Sequence, residues 1–226
     1  MKNGLTLFLG VFAAIALSWV GLLLTAQRQF GGLSQFKDAV DDTLYPQPMS
    51  GLANEGRLVY QDLGCVSCHT QQVRREGIGS DLERKWGSRG SYARDYIRDQ
   101  TVFLGTSRLG PDLRNVGARL GDAKPEEYAE WFYKLLYAPQ SVAAGTNMPA
   151  HPFLFDVHPV AGRQPSDHAL KLMSKYSPGA GLEVVPTARA QALVAYLQSL
   201  KDTYDYPTER TRNAAAVEEK PKEGGK

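Results

Sequence analysis

Cysteine is nearly absent from this chain. Only Cys65 and Cys68 occur among 226 residues, so no thiol remains for a separate disulfide or a cysteine-rich metal cluster. Histidine is scarce too, and His151, His158 and His168 lie far downstream of the cysteines without paired spacing, which argues against a zinc site. Neither charge sign dominates: 26 Lys and Arg face 24 Asp and Glu, a formal net charge of +2, which gives no electrostatic case for nucleic acid. No internal repeat is apparent. No strong period-two alternation marks a long strand, and the βαβ pattern expected around a thioredoxin-like dithiol is missing. What is plentiful is loop-forming residue, with 22 glycines and 13 prolines.

The two cysteines stand in Cys65-Val66-Ser67-Cys68-His69. This is a C-x-x-C-H string, the attachment signature of c-type haem. Two thiols three positions apart on a tight helical turn can each add across one vinyl group of a single porphyrin. The histidine after the second thiol then supplies the proximal iron ligand. The sequence therefore predicts one haem c, held covalently by Cys65 and Cys68.

Leu5 to Leu24 is a second strong signal, twenty residues without a charge. That is long enough to cross about 30 Å of hydrocarbon as a helix. A cleaved signal peptide is the competing reading, but its apolar core is about 7–15 residues and ends at a small-residue cleavage site. This run is longer, and Leu-Leu-Leu-Thr-Ala-Gln is a poor site, so a retained single-pass anchor is expected. Lys2 is nearly matched by Arg28 and Lys37, so flanking charge does not orient it. The haem motif does. Haem c is attached on the outer side of bacterial membranes, which puts the N-terminus in the cytoplasm and the bulk of the chain in the periplasm.

The expected organisation is a short cytoplasmic N-terminus at 1–4, an anchor at 5–26 and a linker at 27–50. A mostly α cytochrome domain follows at 51–203, then a disordered charged tail at 204–226. Helices are predicted from Gly51 to Leu63, from Pro125 onward and from Pro186 to Leu200. Pro125 suits a first helical position, and Glu126 and Glu127 complement the positive helix start. Tyr128, Trp131, Phe132, Leu135 and Leu136 then form a stripe at helical spacing, read as core packing first and a haem wall second.

A sixth iron ligand must come from Met49, Met148, Met173 or one of the other histidines. Met148 is best placed, in the non-helical Gly145-Thr146-Asn147-Met148-Pro149 and well separated from His69. The alternative is a gap-filling core methionine. His151 reads as a neighbour of the site, and His158 and His168 as surface or packing residues. In Leu109-Gly110-Pro111-Asp112-Leu113, a carbonyl either accepts the Nδ1–H of His69 or belongs to an ordinary turn. Arg108, Arg114 and Arg119 either pair with haem propionates or are solvated, and Trp86 either bonds a propionate or packs.

Taken in order, Cys65 to His69, Leu109 to Leu113 and Met148-Pro149 resemble class I cytochrome c. With the anchor, Gly56-Arg57-Leu58-Val59-Tyr60, the run from Gly105 to Gly117 and Asn147-Met148-Pro149-Ala150-His151-Pro152-Phe153, the chain resembles the membrane-anchored mono-haem subunit of cbb-type haem–copper cytochrome c oxidases. The resemblance covers roughly residues 1–155. Thr70 to Arg75 departs from the usual string, and Asp156 to Val185 and the tail match nothing placed.

The resemblance implies that His69 and Met148 are axial ligands and that Pro111 supports His69, with Arg108 counted among the cofactor-binding residues. It implies a bacterial inner-membrane subunit that takes electrons from a donor cytochrome c or a di-haem sister subunit. It would pass them to the haem–copper subunit that reduces oxygen. Six-coordinate iron would have no open site, so catalysis would belong to the complex. Two alternatives are the anchored cytochrome c of a nitric oxide reductase and a free membrane-tethered shuttle or sensor.

Overall fold

The computed structural model describes residues 3–119, 121, 123–160 and 164–209. Among them the chain is mostly helical and divides into two compact units.

The first unit holds residues 1–46 and 92–99. Its main element is helix α1, Gly4–Phe30, long and apolar enough to cross a membrane and with none of its residues buried in protein. Leu7, Phe8, Phe12, Ile15, Leu17 and Leu22 are all more than half exposed, as apolar side chains facing lipid would be. The 27–50 segment is more than a linker. The helix runs on to Phe30, and strand β1, Phe36–Lys37, pairs antiparallel with β2, Leu44–Tyr45. Asp41 closes the turn between them, accepting from Thr43 N at 2.9 Å and from the Tyr45 hydroxyl at 2.8 Å. The short helical turn Ala93–Tyr96 belongs to this unit through Arg94, which donates to the Ser34 carbonyl.

The second unit holds residues 47–91 and the described residues between 100 and 209, and carries the candidate site. Helix α2, Gly51–Asp62, is capped by Ser50, whose Oγ accepts from Ala53 N at 3.2 Å. Its buried face is Ala53, Gly56, Val59 and Tyr60, while Leu52 and Leu58 stay about half exposed. Gly56 decides this orientation. A Cβ there would overlap the Ala192 carbonyl and come within 2.8 Å of Tyr196 Cβ, so the glycine lets two helices cross backbone to backbone.

The crossing partner is α4, which spans Ala188–Ser199; helix α3, Pro125–Tyr137, lies between it and α2 in sequence. Pro186, expected to open α4, instead ends a strand, and Thr187 is the cap, its Oγ1 accepting from Ala190 N at 3.3 Å. The α3 stripe turns inward as the spacing predicts: Tyr128, Phe132 and Leu136 are buried, and the Tyr128 and Phe132 rings stack at 4.7 Å. These residues join Tyr60, Leu193, Val194, Tyr196 and Leu197 in one apolar core.

Two findings depart from the sequence reading. Strand β3, Phe155–Pro159, pairs antiparallel with β4, Leu182–Pro186, in the register Phe155↔Pro186 to Pro159↔Leu182. Each strand has five residues interrupted by Asp, His, Glu or Pro, too few to show a period of two. The tail assigned to 204–226 also begins inside the folded unit. Tyr206 is 1% exposed, and Arg89 donates to the Tyr204 carbonyl at 2.9 Å with its guanidinium 5.5 Å from the Tyr206 ring. Residues 210–226 lie outside the described residues.

Candidate functional site

The Cys65–Ser67 helical turn follows α2 directly, through Gly64 at φ 69°. Only a residue at ease with positive φ lets the chain turn this sharply at the helix end. Cys68 N and His69 N both donate to the Cys65 carbonyl, at 3.2 and 3.0 Å. One turn thus presents both thiols and the imidazole together. Burial pushes the Cys65 thiol up to about 11. A redox dithiol needs the opposite at its attacking thiol, a thiolate stabilised near neutral pH.

A second segment, 105–113, is laced alongside by backbone bonds. Thr106 N donates to Val66 O at 3.0 Å, Gly110 N to Cys68 O at 2.9 Å and Leu113 N to Thr70 O at 2.8 Å. Two glycines allow the approach. Gly105 sits at φ 82°, and a Cβ on it would lie 2.8 Å from Thr70 Cα. A Cβ on Gly110 would overlap the His69 ring, 2.6 Å from Nδ1. Pro111 then places its carbonyl 2.8 Å from His69 Nδ1. This contact commits Nδ1 as the donor and leaves Nε2 with the free lone pair. Burial lowers the His69 pKa, and the Pro111 bond opposes that shift. A half-buried imidazole kept neutral is the form that binds a metal.

Met148 lies in the loop after α3, half-buried and packed on the same apolar core that Cys65 and Val66 touch. Its N–H donates to Thr146 Oγ1 at 3.2 Å, and Gly145 turns the loop at φ 74°. His151 N donates to the Leu136 carbonyl at 2.8 Å and ties the far end of this loop to α3. Burial lowers the His151 pKa, and His69 would lower it further whenever its own ring is protonated, so the two rings share one neighbourhood. His151 Nδ1 is buried without a hydrogen-bond partner of normal geometry. Of the other methionines, Met49 also packs on the core, whereas Met173 is 59% exposed.

These features fit a haem. Two thiols and a committed imidazole sit on one turn, a thioether and an orphaned ring nitrogen belong to one loop, and a glycine cradle closes on the His69 ring.

Arg108, expected at a propionate or in solvent, closes on Asp81, with Nη1 2.6 Å from both carboxylate oxygens, and donates to the Gln72 carbonyl at 2.6 Å. A carboxylate 27 positions away outbids any solvated role, and nothing local in the sequence marks that pairing. Arg114 pairs with Asp202, and Arg119 donates to the Trp86 and Asp112 carbonyls. Sequence reasoning passed over Asp81 and Asp112, both fully buried. Asp112 was visible only as the polar residue inside an otherwise apolar Gly-Pro-x-Leu turn.

A search of the curated proteins finds no match to this chain. Residues 5–169 match the family described as Cytochrome C oxidase, mono-heme subunit/FixO, well over half of the chain and all of the site just described. The chain belongs to that family, the mono-haem cytochrome c subunits of cbb3-type oxidases.

Proposed function

We propose that this chain is the electron-relay subunit of a cbb-type terminal oxidase, carrying one haem c. The observation that supports it most is the 2.8 Å contact between His69 Nδ1 and the Pro111 carbonyl, which orients and strengthens the imidazole as a ligand. When bound, a haem c supplies a one-electron iron couple. Cys65 and Cys68 would hold it through thioether bonds. His69 Nε2 would be the proximal ligand and the Met148 sulfur the distal one. Two protein ligands leave no vacancy for oxygen, so oxygen reduction falls to a haem–copper partner subunit. Electrons would arrive from a donor cytochrome c or a sister cytochrome subunit. Helix α1 would anchor the chain in lipid, N-terminus in the cytoplasm and haem domain outside.

The test is spectroscopic. The denatured chain should keep haem on a gel stained for haem peroxidase, and Cys65→Ala with Cys68→Ala should abolish the stain. Met148→Ala should open the ferrous site to carbon monoxide and erase the weak near-infrared sulfur-to-iron band, whereas Met148→His should stay low-spin at a lower potential. A band that persists in Met148→Ala refutes Met148, and Met49 becomes the next residue to replace. Purification of the native complex without a haem–copper subunit would refute the oxidase role.

A further inference from the structure

The bond between His69 and Pro111 joins two segments 42 positions apart in sequence, and one buried carboxylate ties those segments together beside it. Asp112 follows Pro111 and is fully buried. Its Oδ2 accepts from Thr70 Oγ1 at 2.6 Å and from Gln72 N at 2.7 Å, on the stretch that leaves His69. Its Oδ1 accepts from Arg114 N at 2.9 Å, which closes the turn around the Pro111 carbonyl. Arg108 Nη2 stands 3.9 Å from Oδ2, and Arg119 donates to the Asp112 carbonyl. A carboxylate that accepts three bonds at 2.6–2.9 Å holds its neighbours more firmly than neutral groups would.

We infer that Asp112 is a positioning residue for His69, fixing both the donor and the acceptor of the His69–Pro111 bond and placing a buried negative charge behind the imidazole. The inference rests on His69 being the proximal iron ligand. Two effects then point the same way. A well-held Nδ1–H···O bond gives the imidazole more anionic character, and a buried anion beside it favours the ferric over the ferrous state. Asp112 therefore lowers the midpoint potential. Its loss would raise the potential, the more so because Arg108 and Arg119 would keep their positive charge.

The experiment is redox potentiometry on the membrane-extracted holoprotein. Asp112→Asn should raise the midpoint potential while haem stays attached and low-spin. Thr70→Val removes one anchor but keeps the charge, and it should raise the potential by a smaller step. Thr187→Ala, which uncaps α4 and leaves every partner of Asp112 in place, should lower thermal stability with the potential unmoved. If Asp112→Asn does not accumulate folded, Thr70→Val decides alone. A potential unchanged in Asp112→Asn or Thr70→Val, or moved as far by Thr187→Ala, overturns the inference. His69→Ala separates this from the haem reading: if that variant keeps its low-spin spectrum, His69 is not the ligand and both fall.

Discussion

At the scale of single residues, the second unit is held by a few buried charges whose partners are far away in sequence. Asp81 is the clearest. It accepts from Arg74 N at 2.7 Å, from Arg74 Nη2 at 2.9 Å and from Arg108 Nη1 at 2.6 Å. Burial alone would raise its pKa, but the bonds from Arg108 and Arg74 outweigh it and bring the carboxyl down to about 2. The unfolded value is about 3.9. Because the folded value is the lower one, the stabilisation is complete above about pH 4 and is lost as pH falls through the folded pKa. The full shift corresponds to about 2.6 kcal/mol, reduced toward about 1 kcal/mol because Arg74 is partly exposed and screened by water. Asp81→Asn should therefore lower stability at pH 7 and flatten the acid limb of the unfolding profile. Denaturant titrations at pH 7 and pH 3 check this, and an equal loss at both would count against it. Gly110 makes a separate point about space. Gly110→Ala should displace the His69 ring from the Pro111 carbonyl, giving poor haem retention and a mixed-spin spectrum by optical absorption.

At the scale of elements, apolar side chains did not by themselves decide which helix faces turn inward. Leu52 and Leu58 look like the buried stripe of α2, yet they are about half exposed, because Gly56 brings its own side of the helix against α4. Gly56→Leu should cost about 3 kcal/mol or more, since the added atoms meet backbone at Ala192 that has no rotamer to yield. Leu52→Ala should stay within about 0.5 kcal/mol, as exposed positions do. Denaturant midpoints of the two variants measure the contrast, and a comparable loss from both would show that the helices slide apart rather than clash. The β3–β4 pair follows the same logic of distance. Val184 is buried in the core, but its strand forms only because residues 155–159 arrive beside it.

At the scale of the whole molecule, family membership and the apolar helix point to a membrane-anchored subunit. The intact mass of the detergent-extracted protein should include residues 5–24. A mature N-terminus near Gln27 would instead mark a cleaved leader and a domain released from the bilayer. Some of this protein was determined by sequence alone. The Cys65–His69 turn is closed by hydrogen bonds within five residues, the membrane run is a matter of length and polarity, and α3 carries its period and its Pro125 start in thirteen residues. Each depends on near neighbours, so a short window of sequence contains its whole cause. Tertiary structure alone decided the rest. The partner of Arg108 is Asp81, the anchor beside Pro111 reaches back to Thr70, and Tyr206 is buried by residues more than a hundred positions earlier, Arg89 among them. Such pairings leave no local period, because the energy that selects them exists only once distant segments exclude water from the same charge or ring.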